Sequence, residues 1–199
     1  MMKIIGITGP TGAGKTTALR VLEQMGARVL DADAVYHELL DSDDALRYLL
    51  EERFGPLERA DGSIDRKKLG GIVFNDPAAL ADLNDIAHGA VLAALLPQLA
   101  QARAEGIQVA AIDAIALIES GLAAECDAVV AVLAPLEERI ARIMARDGID
   151  EEYARRRALA QTGEDFFRAH AHYVLENGPE DTPEAFEAKA LALFEQILA

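Results

Sequence analysis

The sequence predicts an α/β fold with a parallel β-sheet, and two observations support that prediction. Short apolar stretches alternate along the chain with longer segments in which apolar residues recur at helical spacing. The runs 107–112 and Ala128–Leu133 show no regular alternation of apolar and polar residues, as expected for strands that are covered on both faces. Strands and helices that alternate in this way form a parallel sheet with helices packed on it.

Each element follows in order from these patterns and from the turn residues. Strands are predicted at 3–8, 27–30, 107–112, 128–133 and 173–175. Helices are predicted at about 15–25, 34–40, 45–53, 66–74, 78–104, 136–146, 151–160 and 183–198. Gly26 is the expected C′ residue of the first helix, and Gly89 and Pro97 are positions where the long helix could bend or break. In the last helix, one apolar stripe is predicted to contain Phe186, Leu191, Phe194 and Ile197.

Length and composition indicate one well-buried core. The chain has 199 residues, of which 51% are hydrophobic and 27% charged, so global disorder is not expected. Cys126 is the only cysteine, which excludes an intrachain disulfide. The apolar strand runs are too short to span a bilayer, and the N-terminal stretch lacks a basic-then-apolar leader. We therefore expect a soluble cytoplasmic protein without a membrane partner.

The net charge restricts the ligands. A formal charge of -15 would repel a nucleic-acid backbone over much of the surface, so nucleic acid is not an expected partner. The same charge would repel a nucleotide. A polyphosphate ligand therefore requires cationic groups that are concentrated locally.

Residues 9–16 fit the phosphate-loop pattern G-x-x-x-x-G-K-[ST] at every fixed position, between a predicted strand and a predicted helix. Glycines allow the backbone N–H groups to point inward, where they and the helix N-terminus hold phosphate oxygens. Lys15 should reach the β- and γ-phosphates of a nucleoside triphosphate, and the Thr16 hydroxyl should ligate Mg²⁺. The alternative is a glycine-rich turn without a ligand. The predicted nucleotide contacts are Gly9, Pro10, Thr11, Gly12, Ala13, Gly14, Lys15, Thr16 and Thr17.

Aspartates follow two of the predicted strands. Asp113 ends the run 109–112, where a magnesium-organising carboxylate belongs in this class, but it could equally cap the next helix. Asp31 and Asp33 follow the second strand, whose end faces the same crevice as the phosphate loop. Asp33 could accept the proton of an attacking hydroxyl or cap the helix that starts near residue 34, and the sequence favours neither.

Seven of the 19 basic residues lie between residues 139 and 168. An arginine run of this kind is commonly a solvated surface with ion pairs, but guanidinium groups also match phosphate geometry. In so acidic a chain, this segment supplies the local cations that a nucleotide needs. Arg146 is the best single candidate, because Gly148 close by would let a lid hinge. The seven residues are Arg139, Arg142, Arg146, Arg155, Arg156, Arg157 and Arg168.

The remaining polar positions give weaker signals. His88 lies in an apolar helical stretch, where a histidine is more often a packed residue than a catalytic one, and Cys126 resembles a small buried hydrophobic residue. No cluster of His, Cys and carboxylates has metal-ligand spacing, so nucleotide-bound Mg²⁺ is the only metal inferred.

An ordered series of motifs beyond the phosphate loop resembles the dephospho-coenzyme A kinase family over nearly the whole length. The resemblance implies a three-layer P-loop kinase fold, a five-stranded parallel sheet flanked by helices, with a helical substrate-binding insertion and a lid. The series comprises IGITG (5–9), VLDAD (29–33), LGGIVFNDP (69–77), LNDIAH (83–88), LIESGL (117–122), Cys126-Asp127, RIMARDG (142–148), Gln161 and YVLENG (173–178).

The resemblance also implies an activity and roles for individual residues. It implies ATP-dependent phosphorylation of the ribose 3′-hydroxyl of dephospho-CoA, with ATP, Mg²⁺ and dephospho-CoA as ligands. Asp33 becomes the general base, Arg142 and Arg146 stabilise phosphates from the lid, and Asn177 contacts the adenine end of ATP. His88 and Glu119 become acceptor-pocket residues. The implied parts are a core at about 1–33, 106–138 and 171–199, an insertion at about 34–105 and a lid at about 139–170.

The chain departs from the family pattern in its acceptor region. It has Ile115 at the start of IALIE (115–119), Gly89 where proline is usual, and His172 where aspartate is common.

Two other functions stay open: a kinase of the same core acting on a nucleoside monophosphate or sugar acid, and a nucleotide-binding regulator that has lost catalysis. The oligomeric state is not predicted by the sequence.

Overall fold

Five short parallel strands lie at the centre of the computed structural model, which describes residues 2–73 and 75–199. They hydrogen-bond in the order β2-β3-β1-β4-β5, and every pairing is parallel, which confirms the predicted sheet. The strands are β1 (Lys3–Thr8), β2 (Arg28–Asp31), β3 (Val109–Asp113), β4 (Ala128–Leu133) and β5 (Tyr173–Glu176).

Helices connect the strands and cover the sheet. Gly26 has a φ of 89° and follows the first helix as its C′ residue, as predicted. In the part of the chain that the structure describes, the helices are α1 (Lys15–Gln24), α2 (Ala32–Ser42), α3 (Asp44–Phe54), α4 (Arg66–Val73), α5 (Pro77–Ala104), α6 (Leu136–Asp147), α7 (Glu151–Leu159), α8 (Glu164–His170) and α9 (Pro183–Leu198), with a 3₁₀ turn at Leu122–Glu125.

The apolar strands are buried on both faces. In β1, Ile5 and Ile7 pack with α1 and α9, whereas Ile4 packs on the opposite face. That opposite face is covered by the C-terminal half of α5, through Leu95 and Leu99. Successive residues of a strand point to opposite faces, so a strand between two helical layers is apolar at every position. The three-layer prediction is confirmed.

Two groups of helices have apolar clusters of their own. The segment from α2 to α5, between β2 and β3, packs around Leu40, Leu50 and Leu69. Helices α6 and α7, between β4 and β5, pack through Ile140, Ile143, Ala154 and Ala158. Both groups follow the carboxyl ends of strands, and therefore lie beside the end of the sheet where ligands bind in this class of fold.

Three details differ from the sequence-based expectations. Helix α5 runs through Gly89 and Pro97 as one helix, because Leu95 and Leu99 are fixed by packing on the sheet. In α9, Ala190 is buried where Leu191 was expected; Leu191 is 40% exposed. Helix α8 was not predicted, since it has seven residues and Gly163 gives it no side-chain cap. Residue 74, the expected end of the fourth helix, lies outside the described residues.

By length and composition alone, α5 is long and apolar enough to cross a membrane. Its Val91, Leu95 and Leu99 are buried in the cluster on the sheet. The expectation that the protein has no membrane partner stays a prediction.

Candidate active site

The phosphate loop joins β1 to α1 and depends on three glycines with positive φ. Gly9, Gly12 and Gly14 have φ angles of 127°, 82° and 114°. A Cβ on Gly9 would lie 2.2 Å from the carbonyl oxygen of Val132, so the two backbones approach too closely for a side chain. Helix α1 starts at Lys15 without a side-chain cap on its first N–H groups. The helix N-terminus is therefore available to an anion.

Lys15 is held over this loop. Its Nζ donates a hydrogen bond of 2.8 Å to the Gly9 carbonyl. Burial lowers the pKa of Lys15, and the carboxylates of Asp113 and Asp33 oppose that shift. A buried ammonium group has lost hydration, and the negative charge of a bound phosphate would compensate for that loss.

A cleft of about 430 Å³ opens beside the loop. Cations of the phosphate loop, α6 and α7 face aspartates of β2, α2 and β3 across it. Its lining comprises Thr11, Gly12, Gly14, Lys15, Thr16, Asp31, Asp33, Asp113, Ile115, Arg142, Ile143, Arg146 and Arg157.

The structure excludes the helix-cap interpretation of Asp33, and its role as a proton acceptor stays a prediction. The helix cap is Asp31, whose Oδ1 accepts a hydrogen bond of 2.8 Å from the Ala34 N–H. Asp33 lies in the first turn of α2, and its Oδ2 accepts a hydrogen bond of 3.0 Å from the Ile115 N–H. Burial raises the pKa of Asp33, while that hydrogen bond opposes the rise. Asp33 is thus free of capping and faces the cleft.

Asp113 is the last residue of β3 and does not cap a helix, because the next helical turn among the described residues begins at Leu122. Its Oδ1 is buried and has no hydrogen-bond partner in the described part of the chain. Burial raises the pKa of Asp113 to about 6, although Lys15 lowers it. An unpartnered carboxylate oxygen that faces a phosphate-binding cleft suits a cation.

A second, apolar cavity of about 130 Å³ meets the cleft at Asp33, which lines both. His88 lines this cavity, and its Nδ1 lies 2.5 Å from the Ser120 carbonyl oxygen. The other lining residues are Ala32, Tyr36, Leu83, Asn84, Ala87, Val91, Ala114, Ala116, Ser120 and Leu122.

The arginine run divides into surface and cleft residues. Arg155, Arg156 and Arg168 pair with glutamates at exposed positions, so the solvated interpretation is correct for them. Three others line the cleft: Arg142, Arg146 and Arg157.

Contacts with the phosphate loop, Asn177 and Asp147 hold the cleft arginines. Arg142 donates to the Gly12 carbonyl at 3.3 Å and to Asn177 Oδ1 at 3.3 Å. Asp147 accepts hydrogen bonds of 2.7 Å from both Arg146 and Arg157. These contacts, chiefly the one with Arg146, lower the pKa of Asp147 to about 2.

Asn177 follows β5 and is 7% exposed. Its Nδ2 donates a hydrogen bond of 2.8 Å to the Ala13 carbonyl, and it lines a third cavity of about 300 Å³ beside Thr17 and Phe186. This cavity shares Gly14 and Arg142 with the cleft, whereas Asp33 does not line it. The expected contact of Asn177 with adenine stays a prediction.

Glu119 does not line these cavities. Its Oε1 accepts a hydrogen bond of 2.7 Å from the Thr162 hydroxyl, which no sequence pattern indicated. Gln161 and Arg139 hold Thr11 of the phosphate loop. Gln161 was visible only as one position of the family series, and Arg139 only as part of the arginine run.

The fold and the cleft define a P-loop phosphotransferase: a loop for phosphates, cations on the adjoining helices α6 and α7, and a carboxylate that lines both the cleft and an apolar cavity. The model of the dephospho-CoA kinase family matches residues 3–182, so the chain belongs to the dephospho-CoA kinase family. It is accordingly an ATP-dependent kinase that acts on a hydroxyl group of dephospho-CoA.

Individual relatives agree with this assignment. A dephospho-CoA kinase of Anaeromyxobacter dehalogenans is 39% identical over 190 residues, which cover 95% of this chain and 89% of the relative. A solved dephospho-CoA kinase from Campylobacter jejuni superposes with a TM-score of 0.65 at 25% identity, covering 99% of this chain and 98% of that one. A solved Thermus thermophilus structure reaches a TM-score of 0.79 at 32% identity, covering 100% and 98%.

Proposed function

We propose that the protein transfers the γ-phosphoryl group of ATP to the ribose 3′-hydroxyl of dephospho-CoA, giving CoA and ADP in the last step of coenzyme A synthesis. The observation that carries this proposal is the position of Asp33, which lines both the phosphate-loop cleft and the apolar cavity. Donor phosphate and acceptor hydroxyl must meet at about 3–3.5 Å for transfer. A carboxylate shared by the two sites lies at that meeting point.

In the proposed reaction, Asp33 acts as the general base. The 3′-oxygen forms a bond to the γ-phosphorus while the bond to the β–γ bridging oxygen breaks, so ADP leaves with that oxygen. The hydroxyl proton passes to the Asp33 carboxylate, whose pKa is raised by burial, so that this carboxylate holds a proton more strongly than an exposed one would. Asp33 also orients the hydroxyl, because its other oxygen is fixed by Ile115.

The nucleotide is held from three sides. The loop amides and Lys15 bind the β- and γ-phosphates, and Arg142 and Arg146 approach from the lid. Asn177 contacts the adenine end in the third cavity. We propose that the lid comprises about 139–170 and the acceptor-binding insertion about 34–105, with His88 and Glu119 on the acceptor side.

Mg²⁺ fits this cleft. Thr16 and Asp113 both line it, oxygen ligands are what Mg²⁺ prefers, and the Asp113 Oδ1 has no partner in the described part of the chain. Thr16 and Asp113 would therefore hold the ion together with phosphate oxygens, and the ion would neutralise charge on the phosphates. A cytoplasmic location belongs to the same proposal, as does the absence of nucleic-acid partners, which the net charge of -15 supports.

An assay of ADP release across a panel of acceptors tests the proposal. Dephospho-CoA should stimulate release, and a Lys15→Met variant should lose that stimulation. Stimulation by a nucleoside monophosphate or a sugar acid, with none by dephospho-CoA, would contradict the acceptor. ATP binding without turnover on any acceptor would support a regulator instead. The joint presence of Lys15, Asp33 and Arg146 in one cleft favours the enzyme.

A further inference from the structure

Thr11 of the phosphate loop is held by Arg139 of α6 and by Gln161, which follows α7. Its backbone N–H donates to Gln161 Oε1 at 2.8 Å, and Gln161 Nε2 donates to the Thr11 hydroxyl at 2.9 Å. The Thr11 carbonyl accepts a hydrogen bond of 3.0 Å from Arg139 Nε. All three polar atoms of Thr11 are therefore engaged by two side chains, 22 residues apart from one another in sequence.

Gln161 is itself fixed in place. Arg139, which is 5% exposed, donates to Gln161 Oε1 at 3.1 Å and to the Ala158 carbonyl at 3.2 Å. Burial of a guanidinium is costly unless its donors are satisfied, so these contacts resist rearrangement. The Gln161 amide thereby couples the end of α7 to the loop that binds the phosphates.

The next residue, Thr162, makes the corresponding contact on the acceptor side. Its hydroxyl donates to Glu119 Oε1 at 2.7 Å. Glu119 Oε2 is buried without a partner among the described residues, so the Thr162 hydroxyl satisfies one of the two oxygens of this carboxylate. Glu119 belongs to the loop 114–121, whose Ile115 N–H holds Asp33 and whose Ser120 carbonyl contacts His88.

We propose that Gln161 and Thr162 are positioning residues for the two halves of the transfer reaction. Gln161 fixes the conformation of the phosphate loop for ATP. Thr162 fixes the position of the loop 114–121, and that loop in turn holds Asp33 and lines the acceptor cavity. Two adjacent residues thus fix the donor site and the acceptor site relative to one another. The proposal rests on the proposed function for its acceptor half only.

Steady-state kinetics on paired variants test it. Gln161→Met keeps the side-chain length but loses the hydrogen bonds to Thr11, and should raise the KM for ATP about tenfold while the KM for dephospho-CoA stays within about twofold. Gln161→Glu keeps an oxygen acceptor for the Thr11 N–H and for Arg139, and should recover most of the loss. Gln98→Met, at an exposed position of α5, is the control and should behave as wild type.

Substitution of Thr162 should instead change the KM for dephospho-CoA and leave the KM for ATP nearly unchanged. Thr162→Val keeps the shape but removes the donor to Glu119, and should raise the KM for dephospho-CoA about tenfold with little change in the KM for ATP. Thr162→Ser retains the hydroxyl and should restore wild-type values. A purely structural role would alter both constants together with the thermal midpoint, and would not separate them. Equal effects on the two constants, or variants that match Gln98→Met, would overturn the proposal.

Calorimetric titration of ATP without acceptor separates this proposal from the proposed function. If the Kd for ATP is about tenfold higher in Gln161→Met than in wild type, the donor half is supported even if the wild type phosphorylates a different acceptor. An unchanged Kd would refute the donor half even if dephospho-CoA proved to be the substrate.

Discussion

Asp33 and Asp31 divide two tasks at the start of α2: Asp31 caps the helix through Ala34, while Asp33 accepts a hydrogen bond of 3.0 Å from the Ile115 N–H. The division matters because a capping carboxylate uses its oxygen on the backbone. Asp33 remains directed at the cleft, with one oxygen fixed and the other available to an acceptor hydroxyl.

The first prediction concerns that available oxygen. Asp33→Asn keeps an oxygen for the Ile115 N–H, so the fold and the ATP affinity should change little. The amide cannot accept the hydroxyl proton, and turnover should fall by about 10²–10⁴. ADP-release kinetics together with ATP titration measure both quantities. The base assignment fails if the variant turns over at the wild-type rate.

The second prediction uses the pH dependence of stability. The pKa of Asp113 is raised to about 6, so its contribution to stability is complete below its unfolded pKa and is lost as pH rises through about 6. Asn at this position cannot ionise. The free energy of unfolding of Asp113→Asn should therefore match that of wild type at about pH 4. At about pH 8 it should exceed the wild-type value by about 1 kcal/mol, a figure discounted for solvent screening in the open cleft.

Urea unfolding at the two pH values measures this difference. Asp85→Asn, at an exposed position of α5, is the matched control and should show no comparable change between the two conditions. A variant that is less stable than wild type at the higher pH would mean that ionised Asp113 is favourably paired, contrary to the structure.

The third prediction concerns the backbone of the phosphate loop. Gly9→Ala combines a strained φ of 127° with a Cβ 2.2 Å from the Val132 carbonyl oxygen, whereas Gly26→Ala has a φ of 89° and no atom within 4 Å. Both variants carry strain of about 1–3 kcal/mol. The clash should lower the free energy of unfolding of Gly9→Ala by about 1–3 kcal/mol more. Chemical denaturation of both proteins measures the excess, and equal losses would show that the loop moves away at no cost.

The parts of the site that depend on local sequence could be predicted, and the parts that depend on tertiary contacts could not. The phosphate loop is contiguous, so its pattern alone placed Lys15 and Thr16. The position of Asp33 at the cleft depends on its contact with Ile115, which is 82 residues away. The arginine run looked uniform, because nothing local shows which guanidinium groups meet glutamates. Thr162 carries no pattern, since its partner Glu119 comes from another loop.

The last prediction separates the cleft arginines from the surface ones. Arg146 lines the cleft and is held by Asp147, whereas Arg156 does not line it and pairs with Glu152 one helical turn away. A lid arginine that stabilises charge in the transition state contributes to kcat more than to ground-state binding. Arg146→Gln should therefore lower kcat by about a hundredfold or more with only a small change in the KM for ATP. Arg156→Gln, the matched control, should leave both constants unchanged, because an exposed i,i+4 pair contributes only about 0.3–0.5 kcal/mol to stability. A rise in KM without a loss of kcat in Arg146→Gln would instead assign this arginine to nucleotide binding alone.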